Sequence, residues 1–418
     1  MITVIGTGTG TPLSGRDREA LDAATLVVGA ARHLTAADVP PGARQLALGP
    51  LPPALDAIGK ALADDRGRIV VLASGDPGFF GIVRVLAERF GAEALDVRPG
   101  VASAAVAFAR IGLPWDDAVV VSAHGRDLRT AVNVCRAHPK AAVLTGPGAG
   151  PAELGAELSY WAADRMLVVA SALGDPERER VERMTPAQAA SREWDTVSVV
   201  LCLDERRALA AGQRTVAGRR AGPARWALEE GEFEHRDSMI TKFEVRALAL
   251  ARLGPRTGDL VWDIGAGSGS VAVECARFGA AAVAVEKTSD GIDRIRANAA
   301  AHGVDVHAVH GAAPTVLSQL PDPDAVFIGG GGAELPPIVA ACARRARRTV
   351  VVALAALDRV PAVRTALGAA GFATDGVLLH SSRLAPLPGD VTRLAAANPV
   401  FLLWGDRPAD SVNEGAIQ

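Results

Sequence analysis

Short runs of β-branched and aliphatic residues alternate with Ala-rich stretches of helical period along nearly the whole chain. Apolar runs of about 4–8 residues bounded by Gly, Pro or Asp read as buried strands, and the longer stretches between them as helices packed on sheets. In the first half this predicts strands at Ile2–Ile5, Thr25–Gly29, Ile69–Ser74, Leu95–Arg98, Val119–Ala123, Ala141–Thr145, Met166–Ala170 and Val197–Leu203. Helices such as Phe80–Phe90 and Ser103–Ile111 fill the gaps. In the second half strands are predicted at Leu260–Ile264, Ala282–Glu286, Val304–His310, Ala325–Ile328, Thr349–Leu354, Gly376–His380 and Val400–Trp404. Helices separate the first five; a loop joins the last two, which read as an antiparallel edge. The fold class is therefore α/β with mainly parallel sheets. Between Asp204 and about Arg225 the pattern fails. "DERRALAAGQRTVAGRRAGPAR" holds many arginines and glycines and no strand, and reads as an exposed linker.

Composition narrows this picture. A chain of 418 residues is long for one hydrophobic core, so two or three domains are expected. A net charge of −3 leaves no basic footprint for nucleic acid. The opening "MITVIG" reads as a strand rather than a signal peptide, and no uninterrupted apolar run is long enough to span a bilayer. Cys135, Cys202, Cys275 and Cys342 lie far apart and form no CxxC pair. They read as small buried hydrophobes, which fits a reducing cytoplasm.

The candidate chemistry lies in two glycine-rich turns. In "VWDIGAGSGS" (Val261–Ser270) a strand runs into Gly265, Gly267 and Gly269 and then into a helix. Such backbone lets a ligand approach with no Cβ in the way, and the helix start offers free N–H groups. The next strand ends in Glu286, placed to accept both hydroxyls of a ribose. A dinucleotide fingerprint would be GxGxxG, but its last glycine is here Ser270. That favours an adenosyl ligand with an amino-acid tail, such as S-adenosylmethionine, over a pyrophosphate. "GAAP" (Gly311–Pro314) ends the third strand, where small residues suit an adenine, and "PDAVFIGGGG" (Pro323–Gly332) leaves room for a large flat substrate.

The second turn, "VIGTGTG" (Val4–Gly10), has no counterpart of Glu286 downstream. It is followed instead by "LASGDPGFFG", "VRPGVAS" and "VVSAHGR", each a strand and a small-residue turn able to line one crevice. Asp76 is the one charged group in its loop and also suits a helix cap.

With these motifs in view, the first half, about residues 1–203, resembles the tetrapyrrole methylases. "GTGTG", "SGDPGFFG" and "PGVAS" stand where that family carries GxGPG, a GDP turn and PGxSS, with Thr9 and Ala102 as departures. "LPWDDAVVVSAHGR" is similar to the subgroup that methylates carbon 5. The second half, about residues 225–410, resembles the class I S-adenosylmethionine methyltransferases of corrin synthesis that methylate carbon 15 and remove a ring acetate carboxyl. Its marks are "MITKFEVRALAL", "VWDIGAGSGSVAVECAR", "PDAVFIGGGG" and "NPVFLLWG". "GEFEHRDS" (Gly231–Ser238) and Ala312 depart from that pattern. The whole chain is similar to the fused, decarboxylating precorrin-6Y C5,15-methyltransferases.

The resemblance implies a tetrapyrrole methylase fold of two α/β subdomains, a linker at 204–224, a Rossmann-like methyltransferase domain at 225–410 and a tail at 411–418. It implies two S-adenosylmethionine sites per chain. One would use Thr241, Gly265, Ala266, Gly267, Ser268, Gly269, Glu286 and Ala313. The other would use Gly6, Gly8, Gly10, Gly75, Asp76, Pro77 and Ser103. A precorrin substrate and a homo-oligomer are expected, with no metal, nucleic acid or membrane partner. No HExxH, GxSxG or GxxxxGK[ST] occurs, and a nucleophilic meso carbon needs at most a base. His124, His235, Lys242 and Arg246 are the candidates for proton or carboxylate chemistry, with Arg236 beside them. An NAD-linked reductase fused to a methylase, and a non-catalytic tetrapyrrole carrier, are the alternatives.

Overall fold

The computed structural model describes residues 1–10, 12–13, 15–64, 67–195, 198–209, 217–218, 222–223, 225–236 and 240–408. Most of the expected linker, the last residues of "GEFEHRDS" and the tail at 411–418 lie outside the described residues. The chain forms two compact units. One holds Met1–Leu128 and Pro139–Gly218; the other holds Arg129–His138 and the described residues after Gly218.

The first unit carries two sheets. Strands β1 (Ile2–Gly6), β2 (Leu26–Gly29), β3 (Arg44–Ala47), β4 (Ile69–Ala73) and β5 (Leu95–Arg98) form an all-parallel sheet in the order β3-β2-β4-β1-β5. Its central strands are apolar on both faces because helices cover both. Ile2, Val4 and Ile58 pack on one side, and Ile5, Leu21 and Val27 on the other. The second sheet joins β6 (Val119–Ser122), β7 (Lys140–Leu144), β8 (Met166–Ser171), β9 (Arg180–Met184) and β10 (Ser198–Leu203) in the order β6-β7-β10-β8-β9. Only β6 and β7 pair in parallel; the other three pairings are antiparallel. The expectation of mainly parallel sheets is thus corrected for this sheet. Strand direction follows from connections, which hydrophobic runs do not report.

The second unit has a seven-stranded sheet. Strands β11 (Leu260–Ile264), β12 (Ala281–Glu286), β13 (His307–His310), β14 (Ala325–Ile328), β15 (Thr349–Leu354), β16 (Ala373–Leu379) and β19 (Val400–Asp406) take the order β13-β12-β11-β14-β15-β19-β16. The first five are parallel, and β19 runs antiparallel to both β15 and β16. The antiparallel edge is as the sequence predicts. Chain order reverses at β11, so the carboxyl ends of β11, β12 and β14 open on the switch point where open α/β sheets hold ligands. Every residue of β11 is buried, Trp262 included.

Four strands have no counterpart among the predicted elements. β3 and β9 are polar edge strands, whose "RQLA" and "RVERM" bury too little to stand out. Between β16 and β19, in place of a plain loop, lies a hairpin of β17 (Ser382–Leu387) and β18 (Val391–Ala396). The expected strand Val304–His310 shortens to β13, and the helix expected from Phe80 begins at Val83.

Candidate functional site

In the second unit the glycine loop is built against its neighbours. Gly269 sits at φ 71°, and a Cβ there would lie 2.9 Å from Ile295 Cγ1, so only glycine allows the helix Ser270–Arg277 to start so close to the helix Ser289–Ala301. The Ala272 N–H of that helix donates to Asp263 Oδ2 at 3.0 Å. Asp263 is fully buried, and burial lifts its carboxyl to about 7, with the Glu286 charge adding to the rise.

Glu286 is the hub of the site. Its Oε2 accepts from Gly267 N–H at 3.0 Å, and its Oε1 accepts from the Thr288 N–H and hydroxyl, both at 3.1 Å. Its carbonyl accepts from Gly311 N–H at 2.9 Å, which hangs the "GAAP" turn with Ala313 on the same residue. The N–H groups of Gly265 and Ala266 go to Val285 O, and that of Gly269 to Ala266 O. The loop therefore spends several N–H groups on its own shape, where the sequence suggested free donors. A carboxylate accepts about four hydrogen bonds; with three filled by protein, Glu286 keeps acceptor capacity for a ribose hydroxyl. A Cβ at Gly265 would lie 3.3 Å from Gly330 N, so the fourth-strand outlet approaches the loop backbone to backbone. This bare cradle beside one held carboxylate fits an adenosyl group.

The segment before the domain's first helix is tied to that loop by Asn298, a residue the sequence reading passed over. Its Nδ2 donates to Ser268 O at 2.8 Å and to Glu234 O at 2.9 Å, and its Oδ1 accepts from Glu234 N–H at 2.7 Å. His235 comes next in the chain; its Nδ1 is buried with no hydrogen-bond partner among the described residues. Arg246 is fully buried. Its guanidinium donates to the carbonyls of Thr241 and Leu228, lies 3.6 Å from Glu274 Oε1 and covers the Phe233 ring at 4.8 Å. Burial lowers its pKa, opposed by the Glu274 charge. So placed, Arg246 holds the backbone of Thr241, not an open face of the site. Lys242 is half-buried at the start of the helix Phe243–Leu253.

In the first unit glycines meet one another. A Cβ on Gly6 would lie 2.4 Å from Gly100 N and 2.6 Å from Gly75 O. Gly8 pairs with Gly75, the Gly10 N–H donates to Thr7 O, and Ser103 N lies 3.6 Å from the Cβ position of Gly75. Pro77 closes on Gly6 from the same side. Asp76 Oδ1 accepts from Gly78 N–H at 2.7 Å, shaping its own turn. The "VIGTGTG", "SGDPGFFG" and "VRPGVAS" turns are thereby one junction, as their pattern suggested. From the second sheet, Arg126 covers the Phe80 ring at 5.5 Å, and Gly174 packs on Thr9. Exposed His124 sits over Gly146, its Nδ1 3.4 Å from Thr145 O. Phe79 and Phe80 form an exposed edge-to-face pair, with Phe80 at φ 55°. Only their place in a glycine-rich turn hinted at them.

Among the described residues no group of three or more His, Cys, Asp or Glu could hold a metal ion, and no helix is long and apolar enough to cross a membrane.

Two family models match the chain. Residues 1–190 match the tetrapyrrole (corrin/porphyrin) methylases, and residues 232–402 match the precorrin methyltransferase domain. A precorrin-6Y C(5,15)-methyltransferase [decarboxylating] of Sinorhizobium sp. is 40% identical over 344 residues, 80% of this chain and 79% of that protein. Two shorter proteins match part of the chain. A probable cobalt-precorrin-6B C(15)-methyltransferase (decarboxylating) of Pyrobaculum calidifontis is 36% identical, over 39% of this chain and 87% of its own length. A cobalt-precorrin-7 C(5)-methyltransferase of Salmonella typhimurium is 33% identical, over 49% of this chain and all of its own length. A glycine junction in one unit, a carboxylate-held loop in the other and this extended identity agree: the chain belongs to the decarboxylating precorrin-6Y C5,15-methyltransferase family.

Proposed function

We propose that this chain methylates precorrin-6Y at carbons 5 and 15 and removes the carboxyl of the acetate on carbon 12, with one S-adenosylmethionine site in each unit. The observation that carries this is the presence of two unrelated glycine-built cradles, each at the carboxyl ends of parallel strands of its own sheet, in one chain. Residues 1–203 form the carbon-5 domain and residues 225–410 the carbon-15 and decarboxylating domain, joined by 204–224.

The bound donor supplies an electrophilic methyl on a sulfonium, so the protein's work is to align it with a nucleophilic carbon. In the second unit Glu286 holds the ribose, the Gly265–Gly269 loop takes the amino-acid tail, and Thr241 and Ala313 flank the rest. In the first unit the Gly6–Gly10 turn, Gly75–Pro77 and Ser103 take the same donor. His235, Lys242 and Arg236 face the leaving carboxyl's chemistry: cations hold the substrate's other carboxylates, and the macrocycle is the electron sink. His124 stands by the substrate in the first unit. Arg246 acts through Thr241.

The chain self-associates through the β17–β18 hairpin. An isolated two-stranded hairpin is marginal in water, and cross-strand partners Leu384 and Leu394 are 78% and 67% exposed. Leu384→Ser with Leu394→Ser is expected to lower the mass found by sedimentation. Four free, buried cysteines fit a cytoplasmic setting.

The deciding experiment is calorimetry of the full chain with S-adenosylmethionine. Two equivalents are expected, falling to one in Gly6→Ala, with the C15-methylated, decarboxylated product still formed by mass spectrometry. One equivalent in the parent chain refutes the two-site reading.

A further inference from the structure

Four side chains outside the glycine turns meet at the carboxyl edge of the first sheet. Thr7 directly follows β1, Ser74 directly follows β4, and Arg32 and His33 lie on the helix Ala31–Ala36 just after β2. Strand β4 lies between β1 and β2, so the sheet order brings these groups together. His33 Nε2 is 2.7 Å from Ser74 Oγ, and His33 Nδ1 is 3.4 Å from Thr7 Oγ1. Arg32 Nη2 donates to Ser74 Oγ at 2.8 Å, and the Thr7 hydroxyl donates to Ala73 O at 3.1 Å.

One assignment of the protons satisfies all four contacts. The Thr7 hydrogen is spent on Ala73 O, so toward His33 the hydroxyl accepts, and Nδ1 carries the imidazole proton. In a neutral ring Nε2 is then an acceptor, and its partner is the Ser74 hydroxyl. Burial, reinforced by the Arg32 charge, brings His33 down to about 4, so the ring is unprotonated at neutral pH. Ser74 itself is exposed and adjoins Gly75, which pairs with Gly8 of the first glycine turn. A hydroxyl with a base behind it and a cation beside it thus faces outward at the cradle.

We infer that Ser74 is a catalytic residue of carbon-5 methylation, taking the proton that the meso carbon must lose, with His33 and Thr7 as positioning residues behind it. This rests on assigning carbon 5 to the first unit. In the step, the carbon-5 C–H bond breaks and its electron pair returns to the conjugated macrocycle. The proton goes to Ser74 Oγ while the Ser74 proton passes to His33 Nε2, and the imidazolium beside Arg32 gives it up to water. No oxidant or reductant is involved. A weak base suffices because the methylated macrocycle carries positive charge, which makes that hydrogen acidic.

The test uses Ser74→Ala and His33→Gln in the full chain. Carbon-5 methylation is expected to slow by about 10²–10³-fold in Ser74→Ala, with substrate KM changed less than about twofold. With substrate deuterated at carbon 5, an isotope effect absent from the parent chain is expected. The C15-methylated, decarboxylated product should accumulate, and calorimetry should still count two donor equivalents. In ¹⁵N spectra of histidine-labelled chain without donor, the resonance lost in His33→Gln should report a neutral Nδ1–H ring at pH 7, and its Nε2 should shift in Ser74→Ala. A parental carbon-5 rate in Ser74→Ala, or a protonated His33 at pH 7, overturns the relay and leaves the assignment of units intact. Carbon-5 methylation surviving in Gly6→Ala overturns the assignment instead.

Discussion

The two glycine cradles reach a similar end by different means. In the first unit the turns after β1, β4 and β5 press together, so that Gly6 and Gly100 leave no room for a Cβ, while Gly75 sits at φ 58°. In the second unit one residue, Glu286, gathers Gly267 and Thr288 with its carboxylate and Gly311 with its main-chain carbonyl. A junction made of backbone is sensitive to added volume at many positions. A junction made of one carboxylate is sensitive to a single deletion. The same small donor is thus compatible with two unrelated architectures, and the damage a mutation does depends on which one it meets.

The sharpest way to break this comparison is Glu286→Ala. One charge-assisted hydrogen bond to a ribose is worth about 1.5–3 kcal/mol, and the loop also loses the carboxylate that holds Gly267 and Thr288, so donor binding at the second site is expected to weaken by at least about 10–10²-fold. Calorimetry should then count one equivalent, carbon-15 methylation should vanish and carbon-5 methylation should persist; equal loss of both would show that the sites are not separate.

Next is Arg246→Met. Removing one partner of a buried pair typically costs about 3–5 kcal/mol; the Arg277 guanidinium, 2.8 Å from Glu274 Oε2, keeps the effect at the lower end. A fall in the second unit's unfolding transition by scanning calorimetry, with the first unit's unchanged, is the expected result.

The pH dependence of the second unit sharpens the picture further. Asp263 is lifted to about 7 in the folded chain, above its unfolded value near 3.9. Between these values the folded state binds more protons, so stability falls as pH rises from about 4 to about 7 and stays reduced above. The full shift corresponds to about 2–4 kcal/mol. Asp263→Asn keeps an acceptor for Ala272 N–H and should flatten this slope in urea titrations.

The smallest effect belongs to the surface clamp at Arg383. Its guanidinium donates to Glu230 and Glu244, both at 2.8–3.0 Å. Burial pushes the Glu230 carboxyl up, but the bonds from Arg383 and Phe243 N–H win and hold it at about 2. Arg383→Gln is expected to cost about 1 kcal/mol, because Arg383 and Glu244 stay in contact with solvent, and high salt should erase most of the difference.

Much of this was readable from the chain alone. Strands such as Leu260–Ile264 and Ile69–Ala73 are unbroken apolar runs because both faces of a parallel sheet are covered. The glycine turns and Glu286 follow such strands directly, so their place at a sheet edge was legible. β9 and the β17–β18 hairpin were not, because polar edge strands bury little and the hairpin's leucines face outward. Arg246 stands in a helix that looks solvated one residue at a time; its burial depends on Leu228, Phe233 and Glu274, which are far from it in sequence.

Local rules of spacing and residue type determined the α/β class, the two glycine turns and the carboxylate paired with one of them, since each is written within one strand and the turn after it. The tertiary structure decided what those turns touch. Gly6 against Gly100, Asn298 between Ser268 and Glu234, and Ser74 against His33 are contacts between segments brought together by strand order, and strand order is not encoded in any local period.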